Sequence, residues 1–164
     1  MEGLRAPRAS FTAPSGETLD TARLLAGSGG RPTLLVFFKV NCPDCQMDWP
    51  YLERLHRAHG ESLRVVGVSQ NDAAAARAYY AQHGEATFDL VLDPEPRFAA
   101  SNAFGVESVP HHVLVDPDGS VRETFAGWQR RPLEELDRQL SAARGTPLAH
   151  VVPQGDPAPP MRPG

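Results

Sequence analysis

Lysine is almost missing from this chain: of 16 basic residues, 15 are arginines and Lys39 is the single lysine. The arginines are scattered and the net charge is −4, so no basic surface invites nucleic acid or an anionic membrane. Long apolar runs are absent too. The longest, Leu34 to Phe38, falls far short of the ~20 residues a membrane helix needs. The opening "MEGLRAPRASF" has neither the basic start nor the apolar stretch of a signal peptide. A cytosolic protein is expected, exported only if that terminus was trimmed from a longer chain. Cysteine is scarce, with two residues in all, which excludes a disulfide framework.

What is present suits one soluble domain. The chain has 164 residues, 41% hydrophobic and 22% charged, enough to bury a core without staples. Residues 1–8 read as an N-terminal extension and 9–144 as the domain. Residues 145–164 hold six prolines in 20 positions with no periodicity, the composition of a disordered tail. Between the two extensions, strands and helices alternate. "PTLLVFF" (32–38) is apolar throughout, as a strand covered on both faces would be. Residues 43 to about 59 take helical spacing through Leu52, Leu55 and His59. "LRVVGVS" (63–69) is a second strand, followed by an Ala-rich helix that Asn71 or Asp72 caps. "FDLVL" is a third strand, with a short helix over about 97–103 that Gly105 terminates. A hairpin turns at "DPDG", and Leu133, Leu136 and Leu140 mark a last helix. This order implies an α/β fold, a mixed sheet with helices on both faces, and strand 32–38 beside strand 63–69.

Both cysteines lie in "FFKVNCPDCQMDWP" (37–50), where the first strand gives way to a helix. If that helix starts at Pro43, Cys42 is its N-cap and Pro43 takes the first turn, where a missing N–H costs nothing. The exposed amides and dipole of a helix start favour a thiolate at Cys42. Cys45, one turn further in, keeps a higher pKa and suits a resolving thiol. Asp44 opposes the thiolate by charge. Three readings stay open: a redox pair, half of a zinc site, or a structural disulfide. The last closes too small a loop to gain much entropy. A zinc site needs two further ligands, and there is no second C-x-x-C.

"LLVFFKVNCPDCQMDWPYLERL" taken with "VESVPHHVLVDPDGSV" resembles the thioredoxin superfamily, in particular its TlpA/ResA-like branch. The likeness runs from about Ser10 to Ala143, and it includes Pro50, five residues after Cys45. It implies a three-layer thioredoxin-like fold and a thiol–disulfide oxidoreductase in which Cys42 attacks and Cys45 resolves. It also implies that Pro110 is a cis-proline facing the pair and that Val109 offers its backbone to a bound substrate strand. Substrates would be disulfide- or dithiol-containing proteins or small molecules, with a recycling reductant or oxidant and no bound cofactor. Two positions depart from the pattern. Asn41 replaces the usual tryptophan, and Val36 stands where thioredoxins proper carry a buried acid, so the proton transfer for Cys45 must come from elsewhere.

His111 is the candidate for that acid–base role, because imidazole transfers protons near neutral pH. On a strand, His111 and His112 face opposite sides, so only one of them can look towards the thiols. The competing reading makes one a polar strand residue and the other a hydrogen-bonded core histidine. Lys39 and Asp44 are candidates for tuning the Cys42 pKa. Trp49 reads as a packing residue and Trp128 as a cover over the sheet edge or a loop anchor. Two rival functions use the same residues. One is a peroxiredoxin-like peroxidase, disfavoured because Lys39 stands where those enzymes carry a threonine. The other is a Cu(I) or zinc carrier using Cys42, Cys45 and His111. A quiet adaptor that binds partners through Val109–Pro110 is a third.

Overall fold

The computed structural model describes residues 1–164. Its centre is β3 (Thr33–Phe38), whose six residues are all buried. It lies between β4 (Arg64–Ser69), parallel to it, and β6 (His111–Val115), antiparallel to it. The full sheet runs β2-β1-β5-β4-β3-β6-β7, with β1 at Ser10–Thr12, β2 at Thr18–Asp20, β5 at Asp89–Leu92 and β7 at Val121–Ala126. β1, β2, β6 and β7 are antiparallel to their neighbours, so the sheet is mixed.

The two faces of β3 can be told apart by its aromatic rings, since consecutive side chains alternate. Phe38 packs on Trp49 of α2 (Pro43–His59) and on Tyr79 and Tyr80 of α3 (Ala73–Gln82). Phe37 packs instead on Phe104, which closes α4 (Ala99–Ala103). Helices thus cover both sides of a strand with no polar alternation, as the uninterrupted apolar run requires. α2 begins with Cys42 as N-cap and Pro43 in the first turn. α3 begins with Asp72, whose carboxylate accepts the Ala75 amide at 2.8 Å. The last helix, α5 (Arg130–Arg144), packs on α2 and ends at Gly145 with φ 66°.

Two regions depart from the sequence expectation. The N-terminal part forms the hairpin β1–β2 and a short helix α1 (Thr21–Ala26), capped by the Asp20 carboxylate. Three-residue strands are too short to show a period, so this hairpin left no pattern to read. The larger correction concerns residues 145–164, expected to be disordered. They fold back onto the domain: Val151 and Val152 join the core, and Met161–Arg162 form β9 against β8 (Trp128–Gln129). Prolines leave few backbone donors to satisfy. Side chains of the domain meet the remaining backbone needs: Asp137 accepts the Ala149 and Val151 amides, and Trp128 Nε1 donates to Pro159 O at 2.7 Å. Composition alone cannot reveal partners that lie elsewhere in the chain. Trp128 is accordingly buried under the tail, its ring tilted against Tyr51 with centroids 4.4 Å apart.

Candidate active site

Cys42 sits at the carboxyl end of β3, in extended backbone that hands over to α2. Its sulfur accepts the Cys45 amide at 3.2 Å and lies 3.4 Å from the Val109 carbonyl oxygen. Both thiols are free, with Cys42 7% exposed and Cys45 fully buried. A hydrogen bond from the Cys45 thiol, helped by the Cys45 and Asp44 amides, brings the Cys42 pKa down to about 7 against burial and the Asp44 charge. Cys45 goes strongly the other way. Burial is the main cause, and its own donation to Cys42 adds to it. One thiol is a substantial thiolate at neutral pH; the other holds its proton until a base takes it.

Val109 and Pro110 stand over this pair, both buried, and the peptide bond between them is cis. The Asp44 carboxylate raises the Cys42 pKa, as its charge dictates. Its own partner is Arg162 of the tail, whose Nε lies 2.9 Å from Asp44 Oδ1 in an ion pair rather than an aligned hydrogen bond. Lys39 is exposed, and it acts on the pair through its backbone amide, on Cys45 rather than Cys42.

The histidines separate as strand neighbours must. His111 pairs across the sheet with Phe37 and meets that ring edge-on at 6.3 Å, on the face of Phe104 and away from α2. It is half-buried, and burial, helped by His112 and opposed by Glu107, holds its imidazole below the usual value. His112 pairs across with Val36 and is wholly buried on the α2 face. Its Nε2 lies 2.7 Å from Asp48 Oδ2 and its Nδ1 3.1 Å from Phe125 O. A carbonyl only accepts, so Nδ1 carries a hydrogen, and Nε2 and Asp48 hold a proton between them.

Asp48 is the functional candidate that sequence reasoning missed. It follows Cys45 by three positions on α2, is fully buried, and its charge helps raise the Cys45 pKa. Its Oδ1 has no partner at all. A signal was available. Cys45, Asp48, Trp49 and Leu52 fall at i, i+3, i+4 and i+7, so the inward stripe of α2 contains a carboxylate. Val36 leaves the strand without an acid, and the titratable group on that face comes from its cross-strand neighbour His112 and from Asp48. No three His, Cys, Asp or Glu side chains come together in a way that could hold a metal ion. Cys42, Cys45 and His111 therefore do not form the ligand set a metal carrier would need.

The chain is similar in sequence and shape to known proteins. The model of the AhpC/TSA family matches residues 3–124. The methylamine utilization protein MauD of Methylorubrum extorquens is 30% identical over 135 residues, 79% of this chain and 63% of MauD. The thiol-disulfide oxidoreductase ResA of Geobacillus kaustophilus is 22% identical over 116 residues, 70% of this chain and 64% of ResA. The chain thus spans less than two thirds of the length of these two relatives. Among solved structures, MTB DsbF, determined in mixed oxidized and reduced forms, superposes with a TM-score of 0.65 at 27% identity, covering 81% of this chain and 92% of DsbF.

Proposed function

Because the chain belongs to the AhpC/TSA family, we propose that it is a thiol–disulfide oxidoreductase working through Cys42 and Cys45. The observation that carries this reading is the split between the two thiols: Cys42 lowered to about 7 at a helix start, Cys45 buried and strongly raised. The Cys42 thiolate attacks one sulfur of a substrate disulfide. The S–S bond breaks, one substrate thiolate leaves and takes up a proton, and a mixed disulfide remains on Cys42. Cys45 then gives its proton to the unpartnered oxygen of Asp48, whose other oxygen is held by His112. The new Cys45 thiolate attacks the Cys42 sulfur, expels the second substrate thiolate and closes the Cys42–Cys45 disulfide. Two electrons have passed to the substrate, and an external dithiol returns the pair to the free thiols. Run backwards, with an external oxidant closing the pair, the same steps oxidise a substrate dithiol.

The Val109 carbonyl already lies within reach of the Cys42 sulfur, which supports a role for Val109 and the neighbouring Pro110 in holding the substrate there. The test is a redox-buffer titration with thiol trapping, paired with disulfide turnover by the Cys42→Ser protein. A reversible two-electron transition between about −270 and −120 mV is expected, with turnover lost in the variant. A pair that never forms a reversible disulfide, or a Cys42→Ser protein that still turns over, overturns the reading. Peroxide consumption in the same samples separates a peroxidase from a disulfide exchanger.

A further inference from the structure

Residues 156–164 cross the mouth of the thiol pair. Pro159 O accepts Trp128 Nε1, Pro160 O accepts the Arg130 amide at 3.0 Å, and Met161 and Arg162 pair with Gln129 and Trp128. Arg162 then reaches the first turn of α2, to Asp44 and to the Met47 sulfur at 4.0 Å. Gly127, with φ 74°, forms the floor beneath. A Cβ there would clash with Arg162 O and lie 2.9 Å from the Gly164 nitrogen. Gly164 rests against Val109: a Cβ on it would lie 2.6 Å from Val109 O and 3.2 Å from Ser108 Oγ. The segment thus ends on the same carbonyl that lies 3.4 Å from Cys42 Sγ.

We propose that residues 156–164 are a built-in ligand of the thiol site, filling a groove that takes an extended polypeptide with a cationic side chain against Asp44. The inference rests on the oxidoreductase reading, because the groove matters only if a substrate disulfide must approach Cys42 along it. An incoming protein segment of the same chemistry must displace the chain's own.

The way the segment is held fits displacement. Its outer side chains stay in solvent, with Met161 57% and the Arg162 side chain 43% exposed. Prolines at 157, 159, 160 and 163 remove donors that would otherwise tie it down. They also stiffen it, so that docking loses little chain entropy. Val151 and Val152 lie upstream in the core, and Asp156 and Ala158 are held by Tyr51 and Arg130, so the stretch beyond them can lift while its base remains packed.

Alkylation of Cys42 by iodoacetamide reads access directly. It is to be run at about pH 9, where the Cys42 thiol is ionised, so that unbalancing Asp44 does not itself change the rate. Three proteins are compared: the full chain, Arg162→Glu, and a chain ending after Gly155. Arg162→Glu should react about two- to fivefold faster, the range a half-exposed ion pair controls, and the shortened chain faster still. A synthetic peptide of residues 156–164 should return the shortened chain to the slow rate, and the same peptide carrying Arg162→Glu should not. Equal rates in all three proteins overturn the proposal, as does a fast rate the peptide leaves untouched. Should the shortened chain fail to fold, Arg162→Glu alone decides. Alkylation does not depend on disulfide turnover, so a pair that alkylates as expected yet forms no reversible disulfide counts against the oxidoreductase reading alone.

Discussion

Two histidine–carboxylate pairs are buried in this molecule with nearly the same geometry. His59 Nε2 lies 2.8 Å from Asp137 Oδ1, His112 Nε2 lies 2.7 Å from Asp48 Oδ2, and none of the four side chains is more than 5% exposed. They differ in what else they touch. Asp137 also accepts from Ser141 Oγ and from the Ala149 and Val151 amides, so both of its oxygens are in use. In the other pair the imidazole is fully held, by Asp48 and Phe125 O, and it is the carboxylate that has an oxygen to spare. One pair joins α2, α5 and the base of the tail. The other stands behind Cys45 with room for a proton. Spare hydrogen-bonding capacity next to a thiol that must ionise, rather than burial or pairing, is what distinguishes a chemical role from a structural one.

Asp48→Asn tests this difference with the largest effect. The amide keeps the shape and can still donate to His112, but it cannot take up the Cys45 proton. Disulfide exchange should slow by about 100-fold near neutral pH, the usual contribution of a positioned base. The loss should fall on resolution, so that mixed disulfide on Cys42 accumulates and can be trapped. Exchange at the unaltered rate would place the two pairs in the same structural class.

How much of this could be read beforehand depends on distance along the chain. The capping of α2 by Cys42 was legible, because a helix start acts on its own first turn, and so were the directions of the two thiols' shifts, although the Cys45 thiol is the first cause at Cys42 and burial the first at Cys45. The burial of β3 was legible from its unbroken apolar run. Asp48 was within reach of helical spacing and was passed over, because its meaning depends on His112, 64 positions away. Strand alternation says that only one of His111 and His112 can look towards the thiols, but it cannot say which neighbour faces α2, and the acid–base role was given to His111. The register against β3 says it: His111 opposes Phe37, and His112 opposes Val36. The tail was illegible for the same reason, since Trp128, Arg130 and Asp137 supply partners that its own sequence does not contain.

Asp137→Asn should give the complementary result. Both oxygens accept N–H or O–H donors, so either orientation of an amide turns its NH2 group against a donor. Stability should fall by about 3 kcal/mol, the cost of breaking a buried pair, while exchange per folded molecule changes little. The pH dependence has a definite sign. Burial alone would raise the Asp137 carboxyl, but bonds from His59 and from the Ala149, Val151 and His150 amides outweigh it and hold the group below its usual value. A lowered folded pKa stabilises the fold above the unfolded pKa of about 3.9, and that contribution is lost as pH falls through the folded value. Urea melts of the two proteins, followed by tryptophan fluorescence, should therefore differ most above about pH 5 and converge in acid. A gap that widens in acid would contradict the assignment.

The smallest effect is expected on the opposite face of the sheet. His111→Ala removes a half-buried imidazole that packs on Phe37 and makes no hydrogen bond to either sulfur. Its ring faces away from α2, so the proton leaving Cys45 has no path to it through the sheet. Exchange should stay within about twofold of the unaltered protein, well below the range of a lost acid–base catalyst, and its pH profile should keep its shape. A flattened profile would mean that the proton leaves by way of the Phe104 face. Asp48 would then have to be read like Asp137, as a buried carboxylate that serves the fold alone.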